Sequence, residues 1–317
     1  MRHSGRPCVT ASVDAVHFVA PVRVGDLCNV KAAVNRAWRT SMEVGVRVEA
    51  EDARTGRRRE CCHAYLTFVA VRDGAPTPVP AVLPATPEEH ARYLQADERR
   101  TARFRAGPPA DSATPLPIAP PPPAPPLHPL PPSARRCSDT FTEVVEIVFR
   151  STQTGTARRL APPQGITFGG QIMKWMEYCA TAAANRLCRS NLLTASIDSL
   201  TFRHPTRVGD IVTIRGIVSA AFDHSIEVYV TVEREDASGA SLITNDGWLT
   251  AVAIDAQGEL LPVPPVVPLS DDEVSRHRGA ADRRARRLAG RDAARAHAHA
   301  HPQAAATDPS PGVVESN

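Results

Sequence analysis

The 317-residue sequence predicts an α+β protein made of two tandem copies of one antiparallel-sheet unit, the second wrapped around a long helix and the first lacking that helix. Three observations lead there. The first is an internal repeat. Residues 10–52 align without a gap on residues 194–236 at a constant offset of 184, Asp14 falling on Asp198, with roughly 20 of about 43 positions identical. The second is period-two alternation of apolar and polar residues through both copies. The third is the segment Phe168 to Cys188, whose apolar residues recur every three or four positions. It has no counterpart ahead of the first copy.

In the first copy, the turn Arg23-Val24-Gly25-Asp26 leads into a strand over Leu27 to Val34, and Met42, Val44, Val46 and Val48 alternate along the next. A polar turn, Arg54-Thr55-Gly56, precedes a strand over Cys61 to Val71. The second copy repeats the order. Arg207-Val208-Gly209-Asp210 opens a strand over Ile211 to Val218, and Ala237-Ser238-Gly239 precedes Ser241 to Ile254. Between them, Ile226, Val228, Val230 and Val232 share one face, with Glu227, Tyr229 and Thr231 on the other.

Each sheet is followed by a helix. Thr86 caps the first, with Pro87 in the opening position and Glu89 closing a capping box, and Ser270 with Glu273 repeats the arrangement. The long helix of the second copy carries Ile172, Met173, Met176, Ala180, Ala183, Ala184 and Leu187 on one stripe. Its alanines allow a curved sheet to close around it.

These elements divide the chain into four parts. Residues 1–106 are a first unit truncated at its front, and 138–290 a second, complete one, each with a C-terminal helix. Residues 107–137 form a proline-rich linker with no core-building capacity. Residues 291–317 are an Ala/His/Pro-rich disordered tail, whose His297, His299 and His301 read as solvated rather than as a metal site.

Composition narrows the function classes. A net charge of +3 and 5% aromatics supply neither the basic patch nor the stacking platforms that nucleic-acid binding needs. The seven cysteines include no C-x-x-C pair, which argues against a disulfide framework or a zinc site and for a reducing compartment. No apolar run approaches the roughly 20 residues of a membrane span. A cytoplasmic location follows, or a mitochondrial one if an N-terminal segment is missing. Neither a metal nor a resident cofactor is expected.

The remaining chemistry sits on the long helix. Gly169 and Gly170 open it, so free N–H groups and the helix dipole face whatever lies at its start. That suits a carbonyl whose oxygen becomes anionic under attack by water. Glu177, about two turns in, is the helix's one acidic residue and could serve as general base for that water. The same residues also read as a tight turn and a solvent-facing carboxylate.

FGGQIMKWMEYCATAAANRLC, followed by TASID, FRHPTRVGD and HSIEV, resembles the second hotdog domain of the two-hotdog acyl-CoA thioesterases, closest to the brown-fat-inducible and cytosolic acetyl-CoA hydrolase type. CVTASVD, RVGD, TSMEV and DERR resemble that family's first hotdog domain. The likeness spans about residues 8–105 and 140–290 and includes no lipid-binding START domain. It implies tandem hotdog folds, with active sites between paired domains. There, a carboxylate on one helix works with an Asn-bearing loop before the other domain's Gly-Gly. Glu177, Gly169 and Gly170 match the family's catalytic positions, whereas Ile166 stands where the family has its asparagine. Carried over in the same way, Ala11, Ser12, Val13, Thr40, Ser41, Met42, Arg100, Phe202, Arg203 and His204 are candidate CoA contacts, the two arginines suiting phosphates.

The resemblance therefore implies an acyl-CoA hydrolase that releases free acid and CoA, acyl-CoA as its partner molecule and homo-oligomerisation through hotdog sheets. Ile166 and the absent first helix favour a second reading, a catalytically impaired acyl-CoA-binding or assembly subunit. A start upstream of Met1, encoding the lost helix, is a third.

Overall fold

The computed structural model describes residues 2–106, 117–121, 134–149 and 165–300. The first repeat contributes β1 (Cys8–Val13), β2 (Val16–Phe18), β3 (Asp26–Ala37), β4 (Ser41–Asp52), β5 (Arg58–Arg72), β6 (Ala75–Pro76) and α1 (Pro87–Ala106). Next come β7 (Arg135–Arg136), β8 (Thr142–Ile147) and α2 (Gly169–Cys188). The second repeat then runs through β9 (Asn191–Ile197), β10 (Leu200–Thr201), β11 (Ile211–Ala221), β12 (Ser225–Glu235) and β13 (Ser241–Ile254). It closes with β14 (Val266–Val267), α3 (Asp271–His277) and α4 (Ala280–Ala300).

Twelve strands make one sheet. From its first edge, β3 pairs with β4 and β4 with β5, whose other side takes β1 and β2. From its second edge, β8 pairs with β11, then β12, β13 and β9 follow. The two repeats meet where β1 pairs with β10 and β2 with β9. The pairs Val13↔Leu200 and Val16↔Ile197 exchange when the offset of 184 is applied, as do Ser12↔Thr201 and His17↔Ser196. The seam is thus self-complementary, like a two-fold dimer interface, but within one chain.

The duplication extends to side chains. Asp26 accepts a hydrogen bond from Arg23 N at 2.6 Å across a turn with Gly25 at φ +94°, and Asp210 accepts from Arg207 N at 2.7 Å with Gly209 at +96°. Both capping boxes form: Glu89 N donates to Thr86 Oγ1 and Glu273 N to Ser270 Oγ, each at 3.2 Å. In the first repeat, Arg99 and Arg103 of α1 clasp buried Glu43, and Arg103 also holds Asp14. In the second, Arg283 and Arg287 of α4 clasp buried Glu227, with Asp198 beside Arg287. These clusters fasten the C-terminal helices to the back of the sheet.

The front face carries α2. Ile172, Met176, Ala180, Ala183 and Leu187 pack on Val212, Ile214, Val228, Val230 and Val232, as the two periodicities require. The back of β12 is buried too: Glu227, Tyr229 and Thr231, on the face opposite the valines, are at most 2% exposed. Tyr229 joins Ile217 and Trp248 in a second cluster, completed by Ile118 and Cys137.

That cluster corrects the reading of 107–137 as a linker without core-building capacity. Ile118 is 2% exposed, and β7 pairs with β14 in parallel; residues 107–116 and 122–133 lie outside the described residues. The predicted C-terminal helix of the second unit is in fact two helices, parted at Gly279 (φ +75°). The second of them reaches Ala300, beyond residue 291 where the tail was expected to begin. Residues 301–317 are outside the described set. Among the described residues no helix is long and apolar enough to cross a membrane.

Candidate active site

The loop ahead of α2 is pinned by the second repeat's turn. Val208 N donates to Gly165 O at 2.7 Å, Thr167 N to Thr206 O at 2.8 Å, and Ile166 bridges Arg207. Phe168 caps α2 through its backbone and offers no side-chain acceptor, so the first-turn amides receive no side-chain cap. This end of α2 lies on the first repeat. A Cβ on Gly169 would sit 2.7 Å from Thr10 Cβ and 3.0 Å from Phe202 Cζ, a spacing that glycine alone permits. Phe168 stacks on Phe68, 6.5 Å between ring centroids, and Phe68 lies in register between Thr10 on β1 and Met42 on β4.

Glu177 is half-buried on the side of α2 that faces β9. Its Oε1 accepts from Thr194 Oγ1 at 2.9 Å and from Thr181 Oγ1 at 3.3 Å. Both donors engage one oxygen, and Oε2 has no donor among the described residues. A carboxylate anchored in this way can take a proton from a bound water through its second oxygen. The offset carries Thr194 onto Thr10, whose Oγ1 is buried with no partner among the described residues. Thr167 Oγ1, one turn before Gly170, is in the same state. The sequence reading missed Thr194 and Thr10; the signal was present in the repeated Thr-Ala-Ser triplet.

The structure does not bring all the candidates together. Glu177 follows Gly169 by eight residues, about 12 Å along the helix axis. Glu177 and its own Gly169-Gly170 amides are therefore well separated: the Cα of Gly169 packs against Thr10, and the Glu177 carboxylate bonds to Thr194. Ala11 to Val13 and Phe202 to His204 do meet, at the seam, where Phe202 N donates to Ala11 O at 2.9 Å. Val13 and Met42 are buried and offer no side chain to a ligand. Arg100 donates to Ser41 Oγ at 3.1 Å and stacks on Trp38 at 4.3 Å, so Thr40 to Met42 and Arg100 form one group beside α1. Arg203 lies 2.6 Å from Asp246, whose side chain is fully buried, and its charge is matched inside the protein rather than displayed to a phosphate. His204 is exposed.

All seven cysteines are free. Burial pushes the Cys179 thiol up to about 12, as it does that of Cys137, so both behave as core residues rather than nucleophiles. Among the described residues no group of three or more His, Cys, Asp or Glu side chains is placed to hold a metal ion.

An antiparallel sheet enclosing one long helix, joined to its duplicate through a two-fold seam, defines the hotdog arrangement. A family profile described as the thioesterase superfamily matches residues 1–57 and 164–240, and the chain belongs to that superfamily. It is 37% identical over 293 residues to acyl-coenzyme A thioesterase 11 of Mus musculus, covering 90% of this chain and 47% of that protein. To the acetyl-coenzyme A thioesterase of Rattus norvegicus it is 34% identical over 296 residues, covering 90% and 50%. The chain spans about half the length of these curated relatives. A solved acyl-CoA hydrolase from Bacillus cereus aligns at 28% identity over 52% of this chain and 96% of its own, with a TM-score of 0.48.

Proposed function

We propose that this chain hydrolyses acyl-CoA thioesters to free acid and CoA, with Glu177 as general base. The observation that carries the reading is the Glu177 carboxylate itself, half-buried and held at Oε1 by two hydroxyls, with Oε2 unengaged among the described residues. Water bound at Oε2 attacks the thioester carbonyl carbon as its proton passes to Glu177. The C–S bond then breaks and the departing thiolate takes that proton, giving acid and thiol. The seam between Ala11 to Val13 and Phe202, with Arg100 nearby on the first repeat, is the proposed CoA path. The curated relatives' names state the same substrate class, which supports the reading. A cytosolic location is proposed alongside, as is homo-oligomerisation through the sheet edges, where β8 exposes Val145 and Ile147.

Ile166 and the separation of Glu177 from the Gly169 amides favour a second reading, an acyl-CoA-binding subunit that turns over slowly or not at all. Release of free thiol from acetyl-CoA and from longer acyl-CoAs distinguishes the two. The hydrolase reading predicts release above the uncatalysed rate, and saturable CoA binding without release supports the second.

A further inference from the structure

Met173 stands apart from the rest of the apolar stripe on α2. Ile172, Met176, Ala180, Ala183, Ala184 and Leu187 are at most 5% exposed against the second repeat's sheet. Met173 is half-buried and packs on two cores at once. Its second contact is the first repeat's cluster of Val13, Val16, Cys62 and Ala64, against which Val48 and Leu66 also pack. Among the described residues Phe202 alone shares these two clusters. Phe202 is held by its backbone bond to Ala11 and lies against Gly169. The unbranched thioether of Met173 can swing.

Met173 precedes Glu177 by one turn on the same face of α2, so their side chains are neighbours, about 5–6 Å apart between Cβ atoms. The other directions away from Glu177 do not suit a hydrocarbon. Thr181 and Thr194 present hydroxyls to it. On the solvent side Lys174 lies over the Tyr178 ring at 5.4 Å, both residues exposed. Inward, Met176 and Ala180 are already packed, at 1% and 5% exposure. An acyl chain whose carbonyl stands at Oε2 therefore runs along Met173 towards β5. We propose that Met173 sets the acyl-chain length this site accepts, the chain ending against its thioether with the small side chains of Cys62 and Ala64 behind. The inference rests on the acyl-CoA reading above and adds to it the residue that limits the acyl group. Met173→Ala removes the γ-carbon, the sulfur and the ε-methyl and lengthens the path by that much. Each methylene newly buried there tightens binding about fourfold.

The probes are S-alkyl-CoA thioethers from ethyl to hexadecyl, which cannot be hydrolysed, titrated calorimetrically into the full chain. Affinity should rise with length up to a limit and then fall. In Met173→Ala the limit should move to longer chains, with those just past the wild-type limit gaining about tenfold or more. Met173→Trp should move it to shorter ones. Adding Ala64→Leu to Met173→Ala refills the same space from the first repeat and should return the profile towards wild type. Each variant is first checked for cooperative melting. A limit that is the same in every variant overturns the inference, as does a change of equal size at all lengths, which would mark Met173 as a support of the fold alone. Should Met173→Ala not fold, a thioether of the limiting length with a terminal diazirine is cross-linked to the wild-type chain. Label on Met173, Cys62 or Ala64 supports the inference, and label confined to other residues overturns it. Failure of the acyl-CoA reading looks different: no thioether of any length then binds the wild-type chain, and the inference falls with it.

Discussion

Thr194 donates its hydroxyl hydrogen to Glu177 at 2.9 Å, bridging the strand that leaves α2 to the carboxylate two turns inside it. The bond fixes which oxygen of Glu177 is engaged and leaves the other without a donor among the described residues. A single hydrogen bond to a charged acceptor contributes about 1.5–3 kcal/mol. Thr194→Val should therefore lower turnover by roughly ten- to a hundredfold through kcat, with Kd for CoA unchanged. Parallel thiol-release and CoA-binding measurements test this; an equal rise in Kd would show that Thr194 shapes the binding surface instead.

The duplicated ion clusters differ in depth, which sets their relative cost. Arg283 and Arg287 are 3% and 9% exposed around Glu227, whereas Arg99 and Arg103 are 21% and 26% exposed around Glu43. Removing one partner of a buried pair leaves an uncompensated charge and costs about 3–5 kcal/mol. Glu227→Ala should reach that range, and Glu43→Ala should cost less because water screens its arginines. Urea unfolding of both variants checks the order.

Two seam residues should tilt the pH profile of stability in opposite directions. Burial, only partly offset by Arg287, pushes the Asp198 carboxyl up to about 6. The folded state then holds its proton between an unfolded value near ~3.9 and about 6, so this contribution is full below that window and is lost as pH rises through it. His17 is driven below its ordinary value by burial and by Arg287 and Arg291. There the unfolded state takes the proton first, so stability is lost as pH falls through the unfolded value of about 6.5. Asp198→Asn should flatten the fall and His17→Gln the rise, measured by urea unfolding between pH 4 and pH 8.

Gly169 couples the repeats sterically. An added Cβ would meet Thr10 at 2.7 Å, so Gly169→Ala must push the start of α2 off β1 and cost about 1–3 kcal/mol. Thr10→Gly made alone should destabilise, yet in the double variant it should recover part of the Gly169→Ala loss. A double-mutant cycle by thermal unfolding reads the coupling, and strict additivity would show that the contact carries no strain.

Much of this architecture was legible because the repeat supplied two readings of each strand. The strand over Ser241 to Ile254 and both capping boxes stand where pattern and capping chemistry placed them. What escaped depends on long-range packing. Ile118 looks like one apolar residue in a proline-rich stretch, and only the back of β12 gives it Tyr229 and Trp248 as neighbours. Alternation placed Glu227 on the opposite face from the valines but not in a buried ion cluster, because its arginines lie some 60 residues away in sequence, on a helix whose docking side no local pattern reveals. The extension of α4 to Ala300 did have a signal, since alanine and arginine are strong helix formers and the low-complexity reading outweighed them. Glu177 was visible as a lone carboxylate on an apolar helix. Its separation from the Gly169 amides was implicit in the helical rise, and its partner Thr194 needed the fold.

The proposed base, Glu177, can be tested by one substitution. Glu177→Gln keeps the side chain's size and its contact with Thr194 while removing the proton acceptor. General-base assistance is worth about 10²–10⁴-fold, so free-thiol release from acyl-CoA by the purified full chain should fall by that factor with CoA affinity unchanged. Release at the wild-type rate in Glu177→Gln would show that Glu177 is not the base.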